Sequence, residues 1–263
     1  MEMGLEIMDD VRKDFVRNML SEGDREDGRG FREYREISLK RDIINKAEGS
    51  ACVKLGDTEV LVGAKLEVGS PFPDSPAEGV IITNAELVPL ASPEFESGPP
   101  NEKSIQLARV VDRGIRGSEV IDVEKLCIEE GEKVWILFLD IHVLDNNGNL
   151  IDAAALGAIA ALQNIRVPNE RYGLTGEDTL QVHDTPVDVT MVEIDGTIVL
   201  DPTCNEENAA TNRLTVISNA DGSLSGLQKT GSDGMNEETI VEMVELGIEK
   251  AGEIREKFLN VPS

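Results

Sequence analysis

The sequence predicts an α+β chain of two pseudo-repeated, strand-then-helix halves. Three features lead there. Short apolar runs alternate with polar residues and turn at Gly-Asp or Asp-Gly pairs, as hairpins with one buried face do. Two longer stretches, near Asn101–Gly117 and Glu237–Phe258, space their apolar residues for a helix. The order strands-then-helix is run through twice, which separates sheets from helices along the chain.

In chain order, Asp9–Leu20 reads as a short helix. "SEGDREDGRGFREYRE" follows, so dense in charge and glycine that it reads as extended or looped. "SACVKLGDTEVLVGAKLEV" is a hairpin: Ala51, Val53 and Leu55 alternate, Gly56-Asp57 turns, and Val60 and Val62 lead back. "GSPFPDSPAEG" is a loop, and "GVIITNAELVPL" a further strand. Asn101 is placed to cap the helix through Gly117. Strands are expected at Lys125–Glu129 and Lys133–Leu144, then a helix at Ala153–Asn164.

"VPNERYGLTGEDTLQVHDTP" breaks all periodicity and reads as a connection. Beyond it, "VDVTMVEIDGTIVLDP" turns at Asp195-Gly196 and "NRLTVISNADGSLSGLQK" at Asp221-Gly222. In the last helix Ile240, Met243, Val244, Ile248, Ala251 and Ile254 share a face with Gly247, where a neighbour could approach closely. The expected organisation is an N-terminal helix and arm at 1–34, a first half at 35–167, a connection at 168–186 and a second half at 187–263.

Composition narrows the function. Forty per cent of the 263 residues are hydrophobic, enough for a sizeable core, but only 3% are aromatic, which leaves little for nucleic-acid bases to stack on. A net charge of −26 keeps the chain soluble and repels nucleic acid at long range, unless basic residues gather on one face. No apolar run reaches the roughly 18 residues of a membrane span. "MEMGLEIMDDVRK" lacks the basic-then-apolar order of a signal peptide. Cys52, Cys127 and Cys204 have no metal or redox spacing, so the expectation is a reduced, cytoplasmic protein.

Two stretches draw attention. On the helix after Asn101, the residues Arg109, Arg113 and Arg116 fall within a sector of about 60°, opposite Leu107, Val110, Val111 and Gly114. The stripe either pairs with neighbouring carboxylates or cradles backbone phosphates with its planar forks of donors. The second stretch is strand, turn and helix in "VWILFLDIHVLDNNGNLIDAAALGAIAAL", the geometry in which helix N–H groups attract an anion. Its turn, Gly148, Asn149, Leu150, Ile151 and Asp152, holds no Ser, Thr, Arg or Lys. Asp152 stands where the helix is expected to begin, so its carboxylate would cap the helix from within. A phosphate dianion about 5 Å from it would meet roughly 6–7 kcal/mol at an effective dielectric near 20.

Other candidates are weaker. Asp140 and His142 share a strand face with Ile136, Phe138 and Leu144, and read as a satisfied core pair before an acid–base pair. Asp178 and Asp184 could bind a metal together or donate a proton, although chance explains such a pair in so acidic a loop. His183 is a lone loop histidine. "DPTCNEEN", with Asp201, Glu206 and Glu207, lacks the glycine of a calcium loop. No metal or cofactor is expected.

Four segments in order give a resemblance. "DGRGFREYREISL", "ARVVDRGIRGS", "LDIHVLDNNGNLIDAAALGAIAAL" and "TGSDGMNEETIVEMVELGIEKA" resemble the opening signature, arginine helix, phosphate turn and closing helix of the RNase PH-like phosphorolytic exoribonucleases and their exosome relatives. The match runs from about Asp27 to Phe258. Active members are expected to carry Gly-Ser/Thr then Arg or Ser at the phosphate turn, where this chain has Asn149-Leu150-Ile151-Asp152. That pattern resembles the non-catalytic RNase PH-like subunit of the archaeal exosome. The resemblance implies a hexameric ring, a trimer of heterodimers with a catalytic sister subunit, carrying RNA-binding cap proteins and threading single-stranded RNA. It also implies that Arg109, Arg113 and Arg116 help hold that RNA. The competing readings are an active phosphorolytic 3'-5' exoribonuclease, opposed by Leu150, Ile151 and Asp152, and an unrelated metabolic enzyme using Asp140 and His142.

Overall fold

The computed structural model describes the backbone of residues 2–260 and side chains from Asp10 onward; Met1 and residues 261–263, at the ends of the first and last expected segments, lie outside the described residues. Among the described residues six α-helices and ten strands follow one another: α1 (Glu2–Glu22), β1 (Ile37–Arg41), β2 (Gly49–Leu55), β3 (Thr58–Gly69), β4 (Val80–Leu87), α2 (Glu102–Gly117), β5 (Cys127–Glu129), β6 (Lys133–Asp145), α3 (Leu150–Gln163), α4 (Asn169–Tyr172), β7 (Val187–Ile194), β8 (Thr197–Leu200), α5 (Cys204–Ala209), β9 (Asn212–Ser218), β10 (Leu224–Gly231) and α6 (Glu237–Ile254).

The first sheet runs β1-β2-β3-β6-β4, with β5 paired to the start of β6; the second runs β10-β9-β7-β8. Both halves lay strands against helices, yet their connectivity differs. In the first, β4 lies parallel to β6 and α2 crosses between them, whereas every pair in the second sheet is antiparallel. The expected repeat therefore holds for composition of layers and not for strand order. A parallel pair needs a long crossover, and only the first half has one.

α3 is the shared core. Ile151–Leu162 are all buried, because the helix packs on β2 and β3 of the first sheet and on β7 of the second. A helix apolar on every side has to be covered on every side. Its run of alanines lets both sheets come close. α6 covers β7 and β9, and Gly247 allows it: a Cβ there would lie 2.8 Å from the Cβ of Val216. α1 packs on α5 and reaches the second sheet through Val16 and Leu20, which cluster with Val192, Ile194 and Val199.

Local differences from expectation have local causes. α1 extends beyond Asp9–Leu20 in both directions. Lys125 belongs to a 3-10 turn, Val123–Leu126, because Asp122 accepts from the Glu124 N–H, so the strand is only Cys127–Glu129. The stretch after Val167 is not wholly irregular: α4 forms there and ends at Gly173, in the left-handed region at φ 65°. α3 starts three residues early, at Leu150, because Asn149 takes the cap position in a left-handed conformation at φ 55°. No helix among the described residues is long and apolar enough to cross a membrane.

Candidate functional site

The turn between β6 and α3 is built by its contacts with both halves. Gly148, at φ 83°, presses on the second half: a Cβ there would lie 2.5–2.6 Å from backbone atoms of Pro202, Thr203 and Cys204. Only glycine fits, on both counts. Thr58 Oγ1 accepts from the Asn147 N–H and donates to the Gly148 carbonyl at 2.8 Å. Arg35 donates to the carbonyls of Asn147 and Gly148 at 2.7 and 3.2 Å.

The structure corrects the role expected of Asp152. With α3 beginning at Leu150, Asp152 is the third helical residue and points inward, away from the helix N–H groups. Its Oδ2 accepts from the Tyr34 hydroxyl at 2.7 Å, the Asn149 amide nitrogen at 2.8 Å and the Thr190 N–H at 3.0 Å. Burial pushes its carboxyl up to about 6, against the lowering pull of those three donors. The carboxylate that does meet the turn is Glu207, on α5: its Oε1 accepts from the Asn149 N–H at 3.1 Å. Glu207 is held in turn by Arg213, at 3.2 Å.

Beneath the turn lies a buried ionic network that periodicity alone did not reveal. Asp201, fully buried, accepts from Arg35 at 2.7 and 2.9 Å, from Arg29 at 2.8 Å and from Asn149 at 2.8 Å. Arg25 and Glu206 form a two-pronged pair at 2.7 and 2.8 Å with almost no exposure. The arm before β1 is thus bolted to the second half and to the turn. Its charge density, which in sequence reads only as an extended or looped stretch, was the one available sign of these partners.

The turn opens into a cleft of about 320 Å³ between the halves. Leu150 and Ile151 line it, with Glu207, Arg213, Cys204 and Lys103 among their neighbours. Burial and the charge of Glu207 push the Cys204 thiol up to about 11, so it stays protonated.

Arg109, Arg113 and Arg116 lie outside this cleft lining. All three are exposed on α2, and Leu107, Val110, Val111 and Gly114 are buried on the opposite side. They are not equivalent. Arg116 donates to Asp112 at 2.8 Å and to the Ile81 carbonyl at 2.7 Å. Arg113 reaches Gln228 on β10 at 3.1 Å. Arg109 has no side-chain partner among the described residues.

The remaining candidates separate. Asp140 and His142 do not form a core pair: both lie on the half-buried outer face of the first sheet, and His142 Nδ1 meets Glu86 at 3.2 Å, while Asn84 lies 3.4 Å from Asp140. Alternation places them there, since Leu137, Leu139, Ile141 and Val143 take the inner face. Asp184 is spent on the backbone N–H groups of Thr185 and Ala220, at 2.6 and 2.9 Å, while Asp178 and His183 are exposed. No group of metal-ligating side chains forms among the described residues. The three cysteines are unpaired.

Residues 33–168 match the 3' exoribonuclease family, domain 1, and residues 184–250 match its domain 2. The exosome complex component Rrp42 of Methanocella arvoryzae is 53% identical over 97% of this chain and 98% of its own length. The component of the same name from Archaeoglobus fulgidus is 50% identical over 97% of this chain and 99% of its own. Among solved structures, an Archaeoglobus fulgidus exosome with RNA bound to the active site contains a chain that superposes with a TM-score of 0.93, at 51% identity, over 96% of this chain and 99% of that one. An archaeal exosome core gives a TM-score of 0.90 at 47% identity, over 98% of this chain and 100% of that one. With both domains in order and relatives matched along nearly the whole length, the chain belongs to the RNase PH-like 3' exoribonuclease family.

Proposed function

We propose that this chain is a non-catalytic ring subunit of an exosome, a phosphorolytic 3'-to-5' RNA-degrading complex. Phosphorolysis needs inorganic phosphate held beside the scissile bond. In this family that place is the start of the helix after the turn, as the resemblance implies. The observation that carries the reading is the Glu207 carboxylate on the Asn149 N–H, at 3.1 Å. A carboxylate is already seated where the attacking anion would bind, and residues 148–152 supply no hydroxyl or cation to offset it.

The chain's work is then architectural. Three copies alternate with three of a catalytic sister subunit, RNA-binding cap proteins sit on the ring, and single-stranded RNA passes through it in the cytoplasm. Arg109, and Arg113 whose one side-chain partner is the neutral Gln228, are the members of the stripe with charge left for backbone phosphates, and such contacts would hold RNA without reading sequence. Arg116, committed to Asp112 and the Ile81 carbonyl, braces α2 against β4. A chain of net charge −26 gains RNA affinity only where such a stripe faces a composite channel.

The test is direct. The purified chain, incubated with a short RNA, phosphate and magnesium, should release no nucleoside diphosphate, and should gain no activity when phosphate is raised. Release by a contaminant-free sample would overturn the reading in favour of an exoribonuclease active by itself.

A further inference from the structure

A buried acid that the proposed function does not use lies beside Asp152. Asp188, on β7, is 3% exposed, and Asp152, on α3, is 5% exposed. They face one another across the seam between the two halves. The donors are shared unequally. Three of them converge on Asp152 Oδ2, while Asp152 Oδ1 and Asp188 Oδ2 are buried without any partner among the described residues. Both acids line one small cavity of about 10 Å³, with Tyr34 and the apolar Val53, Leu156 and Ile254. That is the space of one water molecule.

Among the described residues the surroundings supply no cation. From the arm comes Tyr34, whose hydroxyl already donates to Asp152. From the loop after β8 comes Asp201, with Arg29 and Arg35 on its far side and Asn149 between it and Asp152. α2 presents Val111, Gly114 and Ile115 to Asp188, and Arg113 on the same helix is exposed. α6 presents Ile254, while Arg255 is turned to the carbonyls of Thr185 and Ser218. An ionised carboxylate with neither donor nor counter-charge is too costly to bury, and such a group keeps its proton instead. A carboxyl that keeps its proton has an O–H to donate, and the unfilled acceptor across the cavity is Asp152 Oδ1.

We propose that Asp188 is a neutral carboxylic acid whose proton is shared through one water in this cavity with Asp152 Oδ1, a proton-held lock between the two halves. Burial and the charge of Asp152 both push the Asp188 carboxyl well above the ordinary carboxylate range, in keeping with this division. The sign follows. A native pKa raised above the unfolded one means the folded chain holds a proton that the unfolded chain releases. The stabilisation from the held proton is complete below about pH 4 and is lost as pH rises through the native pKa of Asp188, while the acceptor side of the lock is set once Asp152, pushed up to about 6, has ionised.

Aspartate labelled at the carboxyl carbon in the full chain tests this by NMR titration. One resonance should keep the shift of a protonated acid from about pH 5 to pH 7 and vanish in Asp188→Asn. The ratio of the wild-type folding constant to that of Asp188→Asn should fall about tenfold per pH unit over the same range. If the resonance that Asp188→Asn removes titrates below about pH 5 in the wild-type chain, or the ratio does not change with pH, the lock is refuted. Should the variant fail to fold, the wild-type titration decides by count: two aspartates titrating above about pH 5 support the lock, and Asp152 alone doing so overturns it.

Discussion

Replacing Glu207 with Ala should give the turn back some affinity for phosphate. The magnitude comes from what the side chain does now. Its oxygen sits 3.1 Å from the Asn149 nitrogen, so a bound phosphate would have to displace it and then share the site with its charge. A dianion about 5 Å from a unit charge meets roughly 6–7 kcal/mol at an effective dielectric near 20. Two features reduce that figure. Glu207 is 24% exposed, so solvent screens it, and Arg213 at 3.2 Å already offsets much of its charge. A working value is about 2–3 kcal/mol, or roughly 30- to 150-fold in affinity. The substitution also frees Arg213 to face the anion.

The assay is titration of phosphate, then sulfate, against the backbone amide resonances of Gly148 and Asn149. The wild-type chain should show no saturable shift and Glu207→Ala a weak one. Asp152→Asn provides the control. The sequence alone pointed to Asp152 as the acid that fills the turn, while the structure turns it inward, so this variant should leave the two amides unresponsive. Saturable shifts in the wild-type chain equal to those of Glu207→Ala would refute the reasoning. So would a response in Asp152→Asn and none in Glu207→Ala.

Two further outcomes are expected. In the assembled ring, Arg109→Ala and Arg113→Ala should each lower the slope of log affinity for single-stranded RNA against log salt by about 0.7, with a smaller change for Arg116→Ala; equal slopes for all three would mean that the partners of Arg116 do not hold it. Asp201→Ala strands Arg29, Arg35 and Asn149 together, and should destabilise the chain by about 3–5 kcal/mol, read as a lowered denaturant midpoint with an unchanged slope.

What was legible in the sequence was whatever a short window contains. Ala51, Val53 and Leu55 alternate because β2 has one face on α3, and a period of two records that directly. Asn101 lies beside the helix it caps, and the Ser104 N–H it accepts from is three residues away. The outward aim of the three arginines followed from the same local rule, since Leu107, Val110 and Val111 had to face the core. Contacts set by the way the halves meet left no such trace. Arg35 finds Asp201 across 166 residues, and Arg25 finds Glu206 across 181. Ion pairs have no period, and charges that end up buried look in sequence like charges that stay in water.

The turn shows how one local error displaced a chemical role. The first turn of a helix accepts an acid readily, so Asp152 looked like a cap. The real cap position belongs to Asn149, whose left-handed backbone moves the helix start back to Leu150 and rotates Asp152 into the seam. A carboxylate is still found at the helix start, but it arrives from α5, 58 residues along the chain. The two acids therefore have separable tasks. Glu207 stands at the mouth of the cleft, where its charge governs what anion can approach. Asp152 gathers the arm, α3 and β7 on one oxygen, and its removal should be felt in how the halves hold together and not in what the turn binds.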